Sequence, residues 1–223
     1  MALPQNGNTP GAFTNIAEAF SSANGTTARV IQDMTPPSGT LAGGCRVFDL
    51  VASSTDTAAR AVNLYTGVVL TSQSASATGQ ISVSAQNTIT RSAGSFIADG
   101  WRVGQALMVA APIGVSANAS DGAFGVVTAV AATMLQVNGT PFSNETFGAG
   151  SRLIKVAFRQ QVAVGSNAGT LNTNASLLGS GNDSSKDPSG IELGANGVLI
   201  AAMATVVSVL PAQVFIDGHV ALR

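Results

Sequence analysis

TITRSAGSFIADGWRVGQALMVAAPIGVSANASDGAFGVVTAVAATMLQV, residues 88–137, is the most legible stretch of this chain. Four short apolar runs stand out in it: Ser95–Ile97, Ala106–Ala110, Phe124–Val130 and Met134–Val137. Asp99-Gly100, Gly104, the run Ser116–Gly122 and the corner Ala131–Thr133 separate them. Runs this short, broken by Gly, Asp and Asn, suit strands joined by tight turns, because Gly and Asn accept positive φ at little steric cost. No titratable cluster lies in the stretch. It reads as a small, rigid β module.

The same grammar extends outward in both directions. Downstream, Arg152–Val164 (RLIKVAFRQQVAV) alternates with period two. Leu153, Lys155, Ala157 and Arg159 point one way, and Ile154, Val156 and Phe158 the other, so Lys155 and Arg159 read as solvent-facing charges. Ile191–Leu193, Val198–Ala202 and Thr205–Val209 read as strands, with the hairpin signal Asn196-Gly197 among them. Gln213–Leu222 closes the chain as a strand with Val214, Ile216, Val220 and Leu222 on one face. Upstream lie Arg29–Met34, Cys45–Ala52, Ala59–Thr66, Val68–Leu70 after a bend at Gly67, and Ile81–Val83. Turns are expected at Pro36–Gly39 and Asp187–Gly190, and polar loops at 71–80 and 165–188.

One segment predicts a helix. Phe13, Ile16, Ala17 and Phe20 fall at i, i+3, i+4 and i+7, with Asn15 and Glu18 placed as a capping pair and Gly25 as a stop. Short strands with turn signals about every ten residues otherwise predict an all-β protein of β-sandwich or jelly-roll type. The expected organisation is an N-terminal arm with a short amphipathic helix (1–27), a β-sandwich made of 28–87 and 152–223, and an inserted small β-barrel-like module (88–151).

Composition narrows the function. Of 223 residues only 9% are charged and net charge is −1, while the apolar share is 45%. An ordinary domain carries roughly 25% charge. Ser, Thr, Asn, Gly and Ala replace the missing charges, which fits a surface that lies against neighbours. The basic residues are scattered, so nucleic-acid binding is not expected. Val198–Leu210 is thirteen residues of apolar sequence. That is short of the roughly 20 needed to span a bilayer, so no membrane partner is expected. The start, Met1–Pro10, lacks the basic-then-apolar pattern of a signal peptide.

Reactive constellations are sparse. Cys45 is the only cysteine, which rules out an intrachain disulfide and a Cys-based metal site. It reads as a small half-buried side chain. His219, the only histidine, shares a strand face with Asp217, but no nucleophile is marked beside them. Asp183 and Asp187 flank Lys186 in GNDSSKDPSG, without calcium-loop spacing. No phosphate loop, dinucleotide fingerprint or zinc-helix motif occurs. No catalytic, cofactor-binding or metal-ligating residue is therefore expected, and neither is an enzyme. A carbohydrate-binding surface is disfavoured because Trp101 and Tyr65 stand far apart in sequence.

Two pieces of the chain resemble tailed-bacteriophage virion proteins. SFIADGWRVGQALMV and DGAFGVVTAVAATMLQV, within 95–137, look like a module recurring in phage tail-tube and other virion proteins; Trp101 stands where that pattern has Phe, and the loop before Asp121 is long. VFDLVASSTDTAARAVNLYTG (47–67) with GIELGANGVLIAAM (190–203) is similar to a β-sandwich pattern of phage structural proteins. The resemblance implies a structural virion subunit, first a capsid decoration or cement protein. Tail-tube and receptor- or carbohydrate-binding tail subunits are the alternatives. Its partners would be copies of itself and the major capsid or tail proteins. It would be assembled in the bacterial cytoplasm and reside in the virion.

Overall fold

A computed structural model describes residues 13–34, 44–73, 80–111, 118–166, 175–176, 190–208 and 212–222. The expected turns at Pro36–Gly39 and Asp187–Gly190, and most of 165–188, lie outside these residues. The protein is essentially all-β. Its strands are β1 (Phe13–Ser21), β2 (Arg29–Asp33), β3 (Cys45–Ser54), β4 (Arg60–Ser72), β5 (Ile81–Ser84), β6 (Thr88–Arg91), β7 (Ala106–Ala110) and β8 (Phe124–Val130). They continue as β9 (Met134–Val137), β10 (Glu145–Thr146), β11 (Arg152–Val164), β12 (Ala175–Ser176), β13 (Ile191–Leu193), β14 (Gly197–Met203) and β15 (Gln213–Leu222). All pairing is antiparallel. A smaller sheet runs β1-β15-β3-β12, with β13 also on β3; a larger one runs β10-β5-β6-β9-β8-β7-β11-β4-β14-β2.

The expected N-terminal helix is a strand. β1 pairs with β15 in unbroken register from Phe13↔Ala221 to Ser21↔Gln213. The helical spacing misled because positions i and i+4 share a face in a strand as well as in a helix. Ile16 and Phe20 are buried, while Ala17 and Ala19 between them are exposed. A nine-residue ladder outweighs the propensity of so short a helix, which is marginal in water. Glu18 does not cap a helix; it pairs with Arg29 of β2. Arg29 also donates to the Ala19 carbonyl at 3.3 Å, so a cation sits over part of the outer edge of β1.

Two further expected strands are irregular segments. Ser95–Ile97 forms turns, with Asp99 N–H on the Ser95 carbonyl (3.0 Å) and Trp101 N–H on the Phe96 carbonyl (3.1 Å). Its apolarity serves as a plug: Phe96 is fully buried while Ile97 is exposed. Thr205–Ser208 is also irregular, with Val207 buried and Val206 exposed. Gly67, in contrast, does not break β4. A Cβ on Gly67 would lie 2.6 Å from Ile154 Cγ2 and 3.0 Å from Val198 Cγ2. Glycine is there so that β11 and β14 side chains can close over it. Gly67→Ala should cost about 1–3 kcal/mol by overpacking, read as a lower urea midpoint.

The β5–β6 hairpin turns through Ala85 (φ 50°) and Gln86 (φ 61°), with Asn87 N–H on the Ser84 carbonyl at 3.3 Å. Two positive φ values match the turn that joins right-twisted strands, but Asn-Gly fits it better than Ala-Gln. The Gln86 backbone is held at both ends, its N–H on Asn144 Oδ1 (2.8 Å) and its carbonyl by Phe142 N–H (3.1 Å). Those bonds survive substitution. Changing Ala85→Asn with Gln86→Gly should therefore raise stability by about 1 kcal/mol, seen as a higher melting temperature.

Three apolar clusters organise the packing. The first lies between the sheets: Phe20, Val47 and Ile216 from the smaller meet Val62, Leu64 and Leu199 from the larger. The second includes Ile89, Phe96, Trp101, Leu107 and Leu135. It also takes Ile81 and Val83 from before residue 88 and Leu153 from after residue 151. The third covers the other face of the larger sheet, with Val30, Met108, Ile154, Val198 and Ile200. All seven residues of β14 are buried, so this strand is dry on both faces. That face is enclosed because the stretch from β8 to β2 rolls inward. A Cβ on Gly122, between β7 and β8, would run into the Ala28 carbonyl just before β2. Arg152, at the start of β11, reaches Asp33, at the end of β2. Burial lowers the Arg152 pKa.

Candidate functional site

His219 and Asp217 are both exposed on β15, and their backbones face β1 and β3. Their nearest aligned positions are Asn15 and Ala17 on β1, which bring no nucleophile on the described side chains. Cys45 is buried in the cluster between the sheets, and burial pushes its thiol up to about 11, away from reactivity. Asp183, Lys186 and Asp187 lie outside the described residues. Among the described residues no group of three or more His, Cys, Asp or Glu could hold a metal, and no helix is long and apolar enough to cross a membrane. The front of the apolar run Val198–Leu210 is the buried strand β14.

The buried polar groups of the described residues are tied to one another. Asp56, between β3 and β4, accepts from Arg60 Nε (2.5 Å), Ala58 N–H (3.0 Å) and Ser208 N–H (2.8 Å). Glu145 of β10 accepts from Ala119 N–H and Ser120 N–H, both at 2.8 Å. Asn118 donates to Asp121 and Ser151, and its Oδ1 accepts from Gly148 N–H. Thr71, Asp99, Arg91 and Trp101 form a fourth network. Each carboxylate here anchors a loop. This is the chemistry of a held shape, with donors already spent.

One surface differs. Tyr65 of β4 lies against Phe124 of β8 (ring centroids 5.2 Å) and Phe158 of β11 (5.4 Å, edge to face at 71°). Phe158 is 59% exposed and neighbouring Val126 is 42% exposed. One pleat further along the same face, Gln161 Nε2 donates to Asn63 Oδ1 at 2.8 Å. Burial raises the Tyr65 phenol pKa, and the nearby Asn63 side chain acts against it. Lys155 is exposed on the opposite face, as alternation from Val156 predicts.

The sequence reading missed this grouping. Tyr65 is not isolated, and Trp101 is not a surface aromatic at all: it is fully buried. The signal available was alternation, since Asn63 and Tyr65 are two apart on one strand. What sequence did not reveal was the register that sets Phe158 against Tyr65 and Gln161 against Asn63.

Comparison with protein-family models, curated proteins and solved structures gave no match to this chain.

Proposed function

We propose that this chain is a structural subunit of a tailed-phage virion, a capsid decoration protein that works by fitting against copies of itself and the shell beneath. The carrying observation is where the two phage-like pieces fall. Residues 47–67 and 190–203 are far apart in the chain, yet β13 pairs with β3 and β14 pairs with β4. The two pieces therefore adjoin, at Ile191↔Val47 and along β14 and β4. On this reading the two sheets across their shared core form a jelly-roll-like sandwich carrying an inserted β module.

The physics of such a subunit is shape plus area. Among the described residues, ion pairs tie β1 to β2 and β2 to β11, and others anchor the connections at Asp56 and Asp99. Exposed Val68, Ile97, Val103 and Val206 supply apolar contact. An interface of roughly 1,600 Å² at about 25 cal/mol per Å² of its apolar part drives association without reactive groups. Repetition over a lattice adds avidity.

Purified protein added to undecorated capsids should bind in fixed stoichiometry and raise the temperature at which shells rupture. Electron microscopy of particles labelled at the C terminus should place the label on the capsid exterior. A solitary protein that leaves capsids untouched overturns the reading. The phage tail-tube likeness of 95–137 favours a second arrangement, distinguished by rings or tubes forming on concentration.

A further inference from the structure

We propose that the β4–β11 face carrying Tyr65, Phe124, Phe158, Asn63 and Gln161 is a binding platform for a neutral saccharide. Phe158↔Tyr65, Gln161↔Asn63 and Ala163↔Ala61 are three successive cross-strand rows on one face of the larger sheet. Such rows repeat about every 7 Å along a strand. The first is aromatic, the second is amide and the third is small. Ala163 is exposed, so no side chain of the described residues covers that end of the platform.

The chemistry of each row selects the ligand. Phe158 stands edge-on to Tyr65, and its exposed ring offers a flat apolar surface. A pyranose has a C–H face that lies on such a ring and hydroxyls around its rim. The polar side chains beside the ring are ordered by register: Gln161 Nε2 gives to Asn63 Oδ1, and Asn63 stands two residues before Tyr65 on the same face of β4. That bond orients the two amides and leaves the Gln161 Oε1 acceptor and the Tyr65 hydroxyl to meet sugar hydroxyls. All five side chains are uncharged, which matches an uncharged ligand.

The same polar groups argue against the obvious rival, a second copy of the chain seated on Phe158. Covering the platform with an apolar protein face would strand the Gln161 and Tyr65 groups without partners, a loss a saccharide avoids. The site does not depend on where the subunit resides. On a particle it would hold a cell-surface glycan.

The test uses the full chain with neutral hexasaccharides of β-1,4-glucose, α-1,4-glucose, β-1,3-glucose, mannose and N-acetylglucosamine, read by calorimetry and by pull-down on the insoluble polymers. At least one should bind. Phe158→Ala should weaken that binding roughly tenfold or more, Gln161→Ala less, and Lys155→Ala, on the opposite face, not at all. Phe158 is largely exposed, so its variant keeps the wild-type melting curve, which separates lost binding from lost folding. Three results overturn the proposal: no saccharide in the panel binds; binding is indifferent to Phe158→Ala; or the wild type self-associates in sedimentation and Phe158→Ala abolishes that, which makes the platform a subunit contact.

Discussion

Asp56→Ala should lower the stability of this chain by about 3–5 kcal/mol, the range for removing one partner of a buried ion pair. Asp56 is fully buried and Arg60 is 13% exposed on its side chain. Its carboxylate holds three groups at once: the Arg60 guanidinium, the Ala58 N–H closing the β3–β4 turn, and the Ser208 N–H beyond β14. Arg60 also donates to Ser208 Oγ at 2.6 Å, which doubles the tie between the two connections. Alanine leaves the partly buried Arg60 guanidinium and both N–H groups without this acceptor. At roughly 2–4 °C per kcal/mol for a chain this long, the melting temperature should fall by about 10 °C.

The acid response of Asp56 follows from its pKa. Burial by itself would raise that pKa, but the bonds from Arg60, Ser208 and Ala58 outweigh burial and hold the carboxyl well below the usual range. A depressed folded pKa gives stability that is fully present above the unfolded value of about 4 and is lost as pH falls below it. Wild type should therefore lose more stability than Asp56→Asn between pH 5 and about pH 3, since the amide does not titrate. Urea midpoints at the two pH values decide it. Equal acid losses in wild type and Asp56→Asn would sink this account.

Strands were legible where alternation, length and flanking turns agreed. Arg152–Val164 and Gln213–Leu222 have the bounds their patterns predict, because apolar and polar residues alternate over much of each strand. The errors share a cause: an apolar residue says that something is buried, not what backbone carries it. Phe96 plugs a core from a turn, Ile16 and Phe20 do so from a strand, and Val207 does so from an irregular segment. The aromatic–amide platform was invisible for a different reason. Its residues come from three strands, and only register and the inward roll of the larger sheet bring them together.

Trp101→Ala should cost about 3–5 kcal/mol, whereas Trp101→Phe should cost only about 1–2 kcal/mol. Trp101 is fully buried among Phe96, Leu107 and Leu135, so alanine removes most of a large side chain from a packed cluster. Phenylalanine keeps the apolar bulk and loses the indole N–H, which donates to Thr71 Oγ1 at 3.0 Å. That loss strands little, because the Thr71 hydroxyl still donates to Asp99 Oδ2 at 2.6 Å and Asp99 still accepts from Arg91 at 2.5 Å. Thr71→Val tests the same network from the other side. It leaves the indole N–H without an acceptor inside the protein, so it should cost more than Trp101→Phe despite deleting less volume. Far-UV circular dichroism suits all three variants, since Trp101 is the sole tryptophan and its emission disappears with it. If Trp101→Phe proves as damaging as Trp101→Ala, the indole N–H outweighs the ring and the polar network, not the apolar packing, holds this part of the β module together.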